Sequence, residues 1–294
     1  MSGPPMSGPL LRVADLHAGY GRMPVLRGVC LAIAKREAVG VIGANGAGKT
    51  TLLRTISGVN RRWAGQIEFD GREIGRLAAQ KLIRIGLAHV PQDRHVFPDL
   101  TVRENLLIGA TSQARRMRAD AAGRAARWLE RFPVLAARAD HRAGVLSGGE
   151  QQILVICRAL MAQPALILLD EPSLGLSPTA RQSCFALLSE LRREGTALLI
   201  VDQDLTLLGT VADRIYHLRR GTVERYEHGS ATPYLTSVDR DSRGVGGAGL
   251  LGPGPLQDPA GIRVHRSGRP GEPQAHDGLG DELRPETHGS LPEP

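Results

Sequence analysis

Short apolar runs alternate with longer stretches of helical periodicity along residues 10–228. Three of these runs predict buried strands, namely Ala38–Ile42, Ala165–Leu169 and Thr196–Val201. Strands that alternate with helices are typical of an α/β fold whose sheet is mostly parallel. We therefore expect an α/β domain over residues 10–228.

The last two predicted strands are joined by a helix. Between them, apolar residues recur at helical spacing at Cys184, Leu187, Leu188 and Leu191, and Gly195 then supplies a helix stop. The order strand, helix, strand predicts a βαβ crossover.

A different pattern fills residues 82–146, which are rich in alanine and arginine. Helices are predicted at Val102–Gly109 and Ala114–Phe132, and the pattern there favours no strand. We expect a helical subdomain inserted over about residues 82–160.

The chain changes character after residue 228. Glycine and proline make up 22 of the 66 residues in 229–294, and six arginines stand against nine acidic residues there. Such a segment cannot bury enough apolar surface to offset its ordering entropy. We expect a disordered tail, and the first nine residues are also expected to be loose.

Composition excludes several classes of protein. No apolar run approaches the roughly 20 residues of a membrane-spanning helix, and the first residues lack the charged-then-apolar order of a secretory signal. The three cysteines, Cys30, Cys157 and Cys184, lie far apart without metal-ligand spacing. We expect them to be buried, reduced core residues of a cytosolic protein.

The net charge of +7 comes almost wholly from arginine, because the chain has only three lysines: Lys35, Lys49 and Lys81. The arginines are scattered and are not interleaved with aromatic residues as single-strand nucleic-acid binders require. We therefore expect no nucleic-acid partner.

The segment Gly43–Thr50 reads GANGAGKT and fits the phosphate-binding P-loop pattern. It follows a predicted strand and opens a predicted helix, the context that distinguishes a P-loop from an ordinary glycine-rich turn. Its glycines allow backbone N–H groups to curl around phosphates. Lys49 is expected to neutralise the β- and γ-phosphates, and Thr50 to coordinate Mg²⁺.

Two carboxylates follow the strand Ala165–Leu169. Ligands of open α/β sheets bind at the carboxyl ends of the strands, so Asp170 is placed to hold Mg²⁺ through its water shell. Glu171 could then orient or deprotonate the attacking water.

The segment Leu146–Gln152 reads LSGGEQQ and resembles the signature sequence of ATP-binding cassette (ABC) ATPases. It stands 23 positions before Asp170, if counted from Ser147, as that family requires. Ser147 and Glu150 also form a capping-box pattern at the start of a predicted helix. The resemblance implies the P-loop NTPase fold of an ABC nucleotide-binding domain, with an antiparallel β portion near the N-terminus.

The resemblance also implies a set of site residues. Tyr20 takes the position that stacks on adenine, and Gln92 takes that of the Q-loop, where it would help to hold Mg²⁺ with Thr50 and Asp170. The signature of one subunit would close on the ATP bound by another, in a head-to-tail pair. Catalytic roles are implied for Glu171, Lys49 and Gln203. The implied ATP-contacting residues are Tyr20, Gly43, Asn45, Gly46, Gly48, Lys49, Thr50, Thr51, Gln92, Ser147, Gly148, Gly149 and Asp170.

Two positions depart from the usual family pattern. Gln203 stands where the switch histidine is usual, and the loop Ser173–Ser177 carries serine where its last residue is usually aspartate. Glutamine donates a hydrogen bond but does not titrate near neutral pH. The segments EPSLGLSP, at 171–178, and VDQ, at 201–203, look like those of LivF-type ATPases of branched-chain amino acid importers and their urea-importer relatives.

This resemblance implies an ATP-hydrolysing subunit, with ATP and Mg²⁺, at the cytoplasmic face of the membrane. Its expected partners are membrane permease subunits, a second ABC ATPase subunit and, indirectly, an external solute-binding protein. Import of branched-chain or other hydrophobic amino acids is the expected function. Three alternatives stay open: a urea or amide importer, a soluble ABC ATPase without a transport role, and a damaged transporter subunit.

Overall fold

The computed structural model describes residues 8–111 and 119–228, with side chains up to Glu224. Its larger sheet has six strands: β3 (Ala38–Ile42), β6 (Leu87–Val90), β7 (Leu166–Asp170), β8 (Ala197–Asp202), β9 (Arg214–Arg219) and β10 (Thr222–His228). They lie in the order β10-β9-β3-β8-β7-β6, and only β10 runs antiparallel to its neighbour. The expected mostly parallel sheet is confirmed.

A second sheet lies near the N-terminus and is antiparallel. Its strands are β1 (Leu11–Tyr20), β2 (Met23–Ile33), β4 (Arg62–Phe69) and β5 (Arg72–Glu73), in the order β2-β1-β4-β5. The expected antiparallel portion is therefore present.

The described helices are α1 (Lys49–Ile56), α2 (Ala79–Arg84), α3 (Val102–Gly109), α4 (Ala121–Arg131), α5 (Pro133–Ala136), α6 (Gly148–Leu160), α7 (Pro178–Arg193) and α8 (Leu205–Gly209), with a 3₁₀ turn at Ala143–Val145. Helix α7 connects the parallel strands β7 and β8, as the βαβ prediction requires. It ends before Gly195, whose φ of 97° suits only glycine without strain.

The larger sheet is buried on both faces because successive side chains of its strands point in opposite directions. On β8, Leu199 and Val201 pack toward α1 and the antiparallel sheet, whereas Leu198 and Ile200 pack toward α7 and α8. A third apolar cluster joins α3, α4, α5 and α6. The carboxyl ends of the parallel strands are thereby fixed between two cores.

Some expectations need correction. The sequence pattern favoured no strand in 82–146, but Leu87–Val90 forms β6, which pairs with β7 through the whole length of the strand. Cys157 and Cys184 are buried and free, as expected, whereas Cys30 is only half-buried. The predicted helix Ala114–Phe132 corresponds to α4, and residues 112–118 lie outside the described part.

The strand predictions were accurate to one residue at each end: β3 begins and ends as predicted, and β7 and β8 begin one residue later and include the following aspartate. The expected loose segment before residue 8 and the expected tail after residue 228 lie outside the described residues. Among the helices that the structure describes, none has the length and apolar character needed to cross a membrane.

Candidate active site

Glycine is required at several positions of the P-loop, either by the backbone conformation or by the close approach of neighbouring atoms. Gly46 and Gly48 have φ of 78° and 110°, values that other residues adopt only with strain. A Cβ at Gly48 would lie 2.9 Å from the Leu26 side chain, and one at Gly43 would clash with the backbone of Leu218. The loop joins β3 to α1, so the N-terminus of an eight-residue helix faces the same side as the carboxyl edge of the sheet.

Lys49, the first residue of α1, is only 4% exposed. Its Nζ donates to the carbonyl oxygen of Gly43 at 2.7 Å and lies 3.0 Å from Oε1 of Glu171. The isolated lysine of the sequence pattern and the predicted catalytic carboxylate are therefore in direct contact.

Glu171 is 8% exposed and has a backbone φ of 45°, in the left-handed region. Its N–H donates to the carbonyl oxygen of Val201 at 2.8 Å. Gln203 Nε2 donates to both Glu171 carboxylate oxygens, at 3.0 and 3.1 Å, and to Oδ1 of Asn45 at 2.7 Å. The glutamine at the switch position thus connects the predicted base to the P-loop.

Thr50 and Asp170 also lie together, since Thr50 Oγ1 donates to Asp170 Oδ1 at 3.2 Å. Burial raises the pKa of Asp170 to about 6 because it disfavours the charged carboxylate, and the neighbouring Glu171 adds to the effect. A hydroxyl and a carboxylate oxygen so close together form the hard-oxygen donor set that Mg²⁺ prefers. In the described chain, no three His, Cys, Asp or Glu side chains form a metal-binding cluster.

Two further predicted residues lie at the margin of this group. The Tyr20 side chain is 48% exposed, and its hydroxyl accepts a hydrogen bond from Thr51 Oγ1 at 3.5 Å. Gln92 follows β6, whose last residue, Val90, pairs with Leu169. Gln92 therefore leaves the sheet on the strand next to the one that ends at Asp170.

The signature residues make contacts of a different kind. Ser147 caps α6: its Oγ accepts from the Glu150 N–H at 3.4 Å, while its own N–H donates to Glu150 Oε2 at 2.7 Å. A Cβ at Gly148 would lie 2.8 Å from the Arg94 guanidinium, and one at Gly149 would lie 2.7 Å from Ala180 Cβ. Within the described residues, no hydrogen bond or ion pair joins the signature to the P-loop of the same chain.

Sequence reasoning missed Asp202 as a site residue. Its carboxylate is 3% exposed and accepts hydrogen bonds from Ser173 Oγ at 3.0 Å and from the N–H groups of Gln203 at 2.7 Å and Asp204 at 3.1 Å. It therefore holds the loop after Glu171 and the switch glutamine in one network. The available signal was an acidic residue at the end of a parallel strand, the same signal that identified Asp170.

Comparison with known proteins identifies the family of the chain. A family model described as ABC transporter matches residues 26–174. The branched-chain amino acid transport ATP-binding protein BraG of Pseudomonas aeruginosa is 42% identical over 212 residues, which cover 72% of this chain and 90% of the relative. The chain belongs to the ABC transporter family. The predicted resemblance is thereby confirmed.

Other relatives of this ABC protein have similar names. The LivF protein of Archaeoglobus fulgidus, named as a probable branched-chain amino acid transport ATP-binding protein, is 36% identical over 73% of this chain and 90% of its own length. The corresponding LivG protein of Escherichia coli is 34% identical, with 74% and 91% covered.

Solved structures agree with the fold. A nucleotide-free ATP-binding cassette of an ABC transporter superposes with a TM-score of 0.68 at 28% identity, covering 76% of this chain and 92% of that one. A dimeric cassette in a post-hydrolysis state with ADP and Pi gives 0.66 at 27% identity, with 75% and 99% covered. The predicted fold class and the predicted enzyme class, an ATP-binding ABC-type ATPase, are confirmed.

Proposed function

We propose that this ABC protein is the ATP-hydrolysing subunit of an importer for branched-chain or other hydrophobic amino acids, peripheral on the cytoplasmic face of the membrane. The contact of Lys49 and Gln203 with Glu171 beside the P-loop carries the enzymatic part of the proposal. The transport part rests on the similarity to BraG, LivF and LivG, which are named for branched-chain amino acid transport.

The catalytic step follows from the hydrogen bonds around Glu171. We assign the phosphate cradle to the P-loop N–H groups and Lys49, since the Lys49 ammonium is the cation at the N-terminus of α1. When Lys49 binds phosphate oxygens, the Glu171 carboxylate is free to accept a proton from the attacking water. Gln203 holds that carboxylate through its amide, and the N–H that donates to Asn45 Oδ1 would turn to the γ-phosphate when ATP binds. The amide carries no titrating proton.

The remaining site residues have supporting roles. The exposed ring of Tyr20 is available for stacking on adenine, and Thr51 fixes its hydroxyl. Thr50, Asp170 and Gln92 would hold Mg²⁺, Asp170 through water. When bound, the ion neutralises charge on the β- and γ-phosphates.

A pair of subunits is part of the proposal. Ser147 and Glu150 cap α6 by themselves, which leaves the hydroxyl proton of Ser147 and the first N–H groups of α6 to face an anion from outside the chain. We assign that anion to the ATP held by the P-loop of a second ABC ATPase subunit, identical or different. The permease subunits would move with the helical layer α3–α6, and an external solute-binding protein would deliver the solute to them.

The decisive experiment measures uptake of labelled leucine, valine and urea by cells that carry the native chain or Lys49→Ala. Lys81→Ala is the matched control, because Lys81 is an exposed lysine on α2. Loss of leucine and valine uptake with Lys49→Ala alone supports the proposal. Loss of urea uptake alone moves the function to a urea or amide importer, and unchanged uptake of all three contradicts an import role.

A biochemical test separates hydrolysis from transport. Glu171→Gln retains the size of the side chain but removes the proton acceptor, so ATP binding should persist while turnover falls by about 100-fold or more. ATP-dependent dimerisation should then become visible by light scattering. Normal turnover in this variant would contradict the role assigned to Glu171.

A further inference from the structure

A half-buried arginine, Arg94, connects two loops at the edge of the candidate active site. It stands two residues after Gln92, on the segment that follows β6. Its Nη2 donates to the carbonyl oxygens of Leu174 at 3.0 Å and Gly175 at 3.2 Å. One guanidinium nitrogen therefore joins the Gln92 segment to the loop Ser173–Ser177, although Arg94 and Leu174 are 80 positions apart in the chain.

The carbonyl groups that Arg94 binds follow closely on the predicted catalytic carboxylate. The Leu174 N–H donates to the Glu171 carbonyl oxygen at 3.1 Å, so the chain turns directly after Glu171. Ser173 donates to the Asp202 carboxylate through its N–H and its Oγ. The loop after Glu171 is thus held by Asp202 at Ser173 and by Arg94 at the next two residues.

Arg94 also lies against the start of the signature helix. A Cβ at Gly148, the first residue of α6, would lie 2.8 Å from Arg94 Nη1, so the guanidinium packs directly over this glycine. The main chain beside Arg94 is tied to the same helix, because Arg158 of α6 donates to the His95 carbonyl oxygen at 2.7 Å. The Gln92 segment, the loop after Glu171 and the start of α6 therefore meet at one side chain.

We propose that Arg94 is a positioning residue for ATP hydrolysis, an inference that rests on the proposed function. By holding two successive carbonyl groups, it fixes the backbone after Glu171 and with it the placement of the Glu171 carboxylate relative to the attacking water. Leu174 is 48% exposed, so water can replace the guanidinium as a donor there. Loss of Arg94 would therefore loosen the loop without leaving a buried group unpaired.

The test measures ATP turnover and ATP binding in full-length Arg94→Gln and Arg94→Lys. Arg94→Gln shortens the side chain and removes its charge, so misplacement of Glu171 should lower kcat about tenfold. The Kd for ATP, measured by calorimetry without Mg²⁺, should change less than about twofold, because the contacts of Lys49 do not involve Arg94. The melting temperature should fall by less than about 3 °C. Arg94→Lys retains a cationic donor and should keep kcat within about threefold of the native value.

Amide hydrogen exchange, followed by mass spectrometry, shows whether the effect passes through the loop. The N–H groups of Leu174 and Leu176 form hydrogen bonds within this turn, and their exchange should become about fivefold faster in Arg94→Gln. Arg103→Gln is the matched control, since Arg103 is an exposed arginine that donates to Asp140 at 3.1 Å. It should retain native exchange in the loop and native kcat.

Three results would overturn the proposal: native kcat in Arg94→Gln, a fall in kcat that Arg94→Lys shares in full, or a fall in kcat with unchanged exchange in the loop. Glu171→Gln, measured beside these variants, separates two kinds of failure. Native turnover in Glu171→Gln overturns the proposed function and this inference with it. Lost turnover in Glu171→Gln together with native turnover in Arg94→Gln overturns this inference alone.

Discussion

Replacing Asp202 with asparagine perturbs the site without touching the P-loop. One carboxylate oxygen, Oδ1, accepts from Ser173 Oγ, Gln203 N and Asp204 N, while Oδ2 faces the Ser173 N–H at 3.4 Å. In Asp202→Asn the amide oxygen can take over the role of Oδ1. The amide NH₂ group then faces the Ser173 N–H, donor against donor.

The structure sets the size of the effect. Three hydrogen bonds lose their charge assistance, which is worth about 1 kcal/mol each, and the donor–donor contact adds to that loss. The neutral side chain costs less to bury, which offsets part of it. We expect Asp202→Asn to lower the free energy of unfolding by about 2 kcal/mol. Ser173→Ala should cost about 1 kcal/mol alone and less when combined with Asp202→Asn, since the two share a hydrogen bond.

The functional test compares the change in kcat with the change in the Kd for ATP. Because Asp202 positions the backbone of Gln203, kcat should fall about tenfold from misplacement of the switch amide. The Kd for ATP should change less than about twofold, since the bonds of Lys49 do not involve Asp202.

Urea unfolding and steady-state ATPase kinetics measure these quantities, and Asp204→Asn is the matched control. Asp204 caps α8 through its side chain, and asparagine caps a helix equally well, so that variant should stay within about 0.5 kcal/mol of the native chain. The reasoning is refuted if Asp202→Asn retains native turnover, or if its Kd for ATP rises as much as kcat falls.

Three further predictions concern stability. Arg214→Met should lower the free energy of unfolding in urea by about 2–3 kcal/mol, because it removes the guanidinium whose Nε lies 2.6 Å from Oε1 of the partly buried Glu37, which retains the Ala34 N–H as a donor; a native value would contradict this. Burial and Arg54 lower the pKa of His89 to about 4, below its unfolded value, so the folded state binds this proton less tightly. The stability contributed by neutral His89 is complete above about pH 6.5 and is lost as the pH falls toward 4, by about 2 kcal/mol at pH 5; unfolding at pH 7.5 and 5 should show a smaller difference in His89→Gln. Deleting residues 229–294 should leave the melting temperature and ATPase activity unchanged, and a fall of several degrees would refute the domain boundary at 228. For the His89 prediction, the charged or titratable groups that line the two cavities beside His89 are Arg54, His95 and Arg158.

The strands of the larger sheet could be predicted where their apolar runs are long enough. Ala38–Ile42 is an apolar run of five residues that is buried on both faces, and such a length is typical of a strand rather than of a helix. The strand Leu87–Val90 was not predicted because it has only four residues, one of them a histidine, between two regions of helical pattern. Its strand conformation comes from pairing with β7, a contact between residues about 80 positions apart, which local periodicity does not encode.

The site could be predicted as far as motifs and strand ends indicate it. Lys49, Thr50, Asp170 and Glu171 are adjacent to recognisable strands, so their meeting at one sheet edge follows from topology. The four hydrogen bonds of Asp202 depend on which loops meet at this sheet edge, and a sequence pattern does not specify such contacts.

The left-handed backbone at Glu171 has an evolutionary consequence. A residue with a Cβ pays about 1 kcal/mol to adopt this conformation, and glycine would adopt it freely. Glycine would relieve this strain, but it would also leave the buried Lys49 ammonium without its carboxylate partner, so stability alone does not favour glycine at position 171. In lineages released from selection on ATP turnover, Glu171 and Lys49 should therefore change together rather than one at a time.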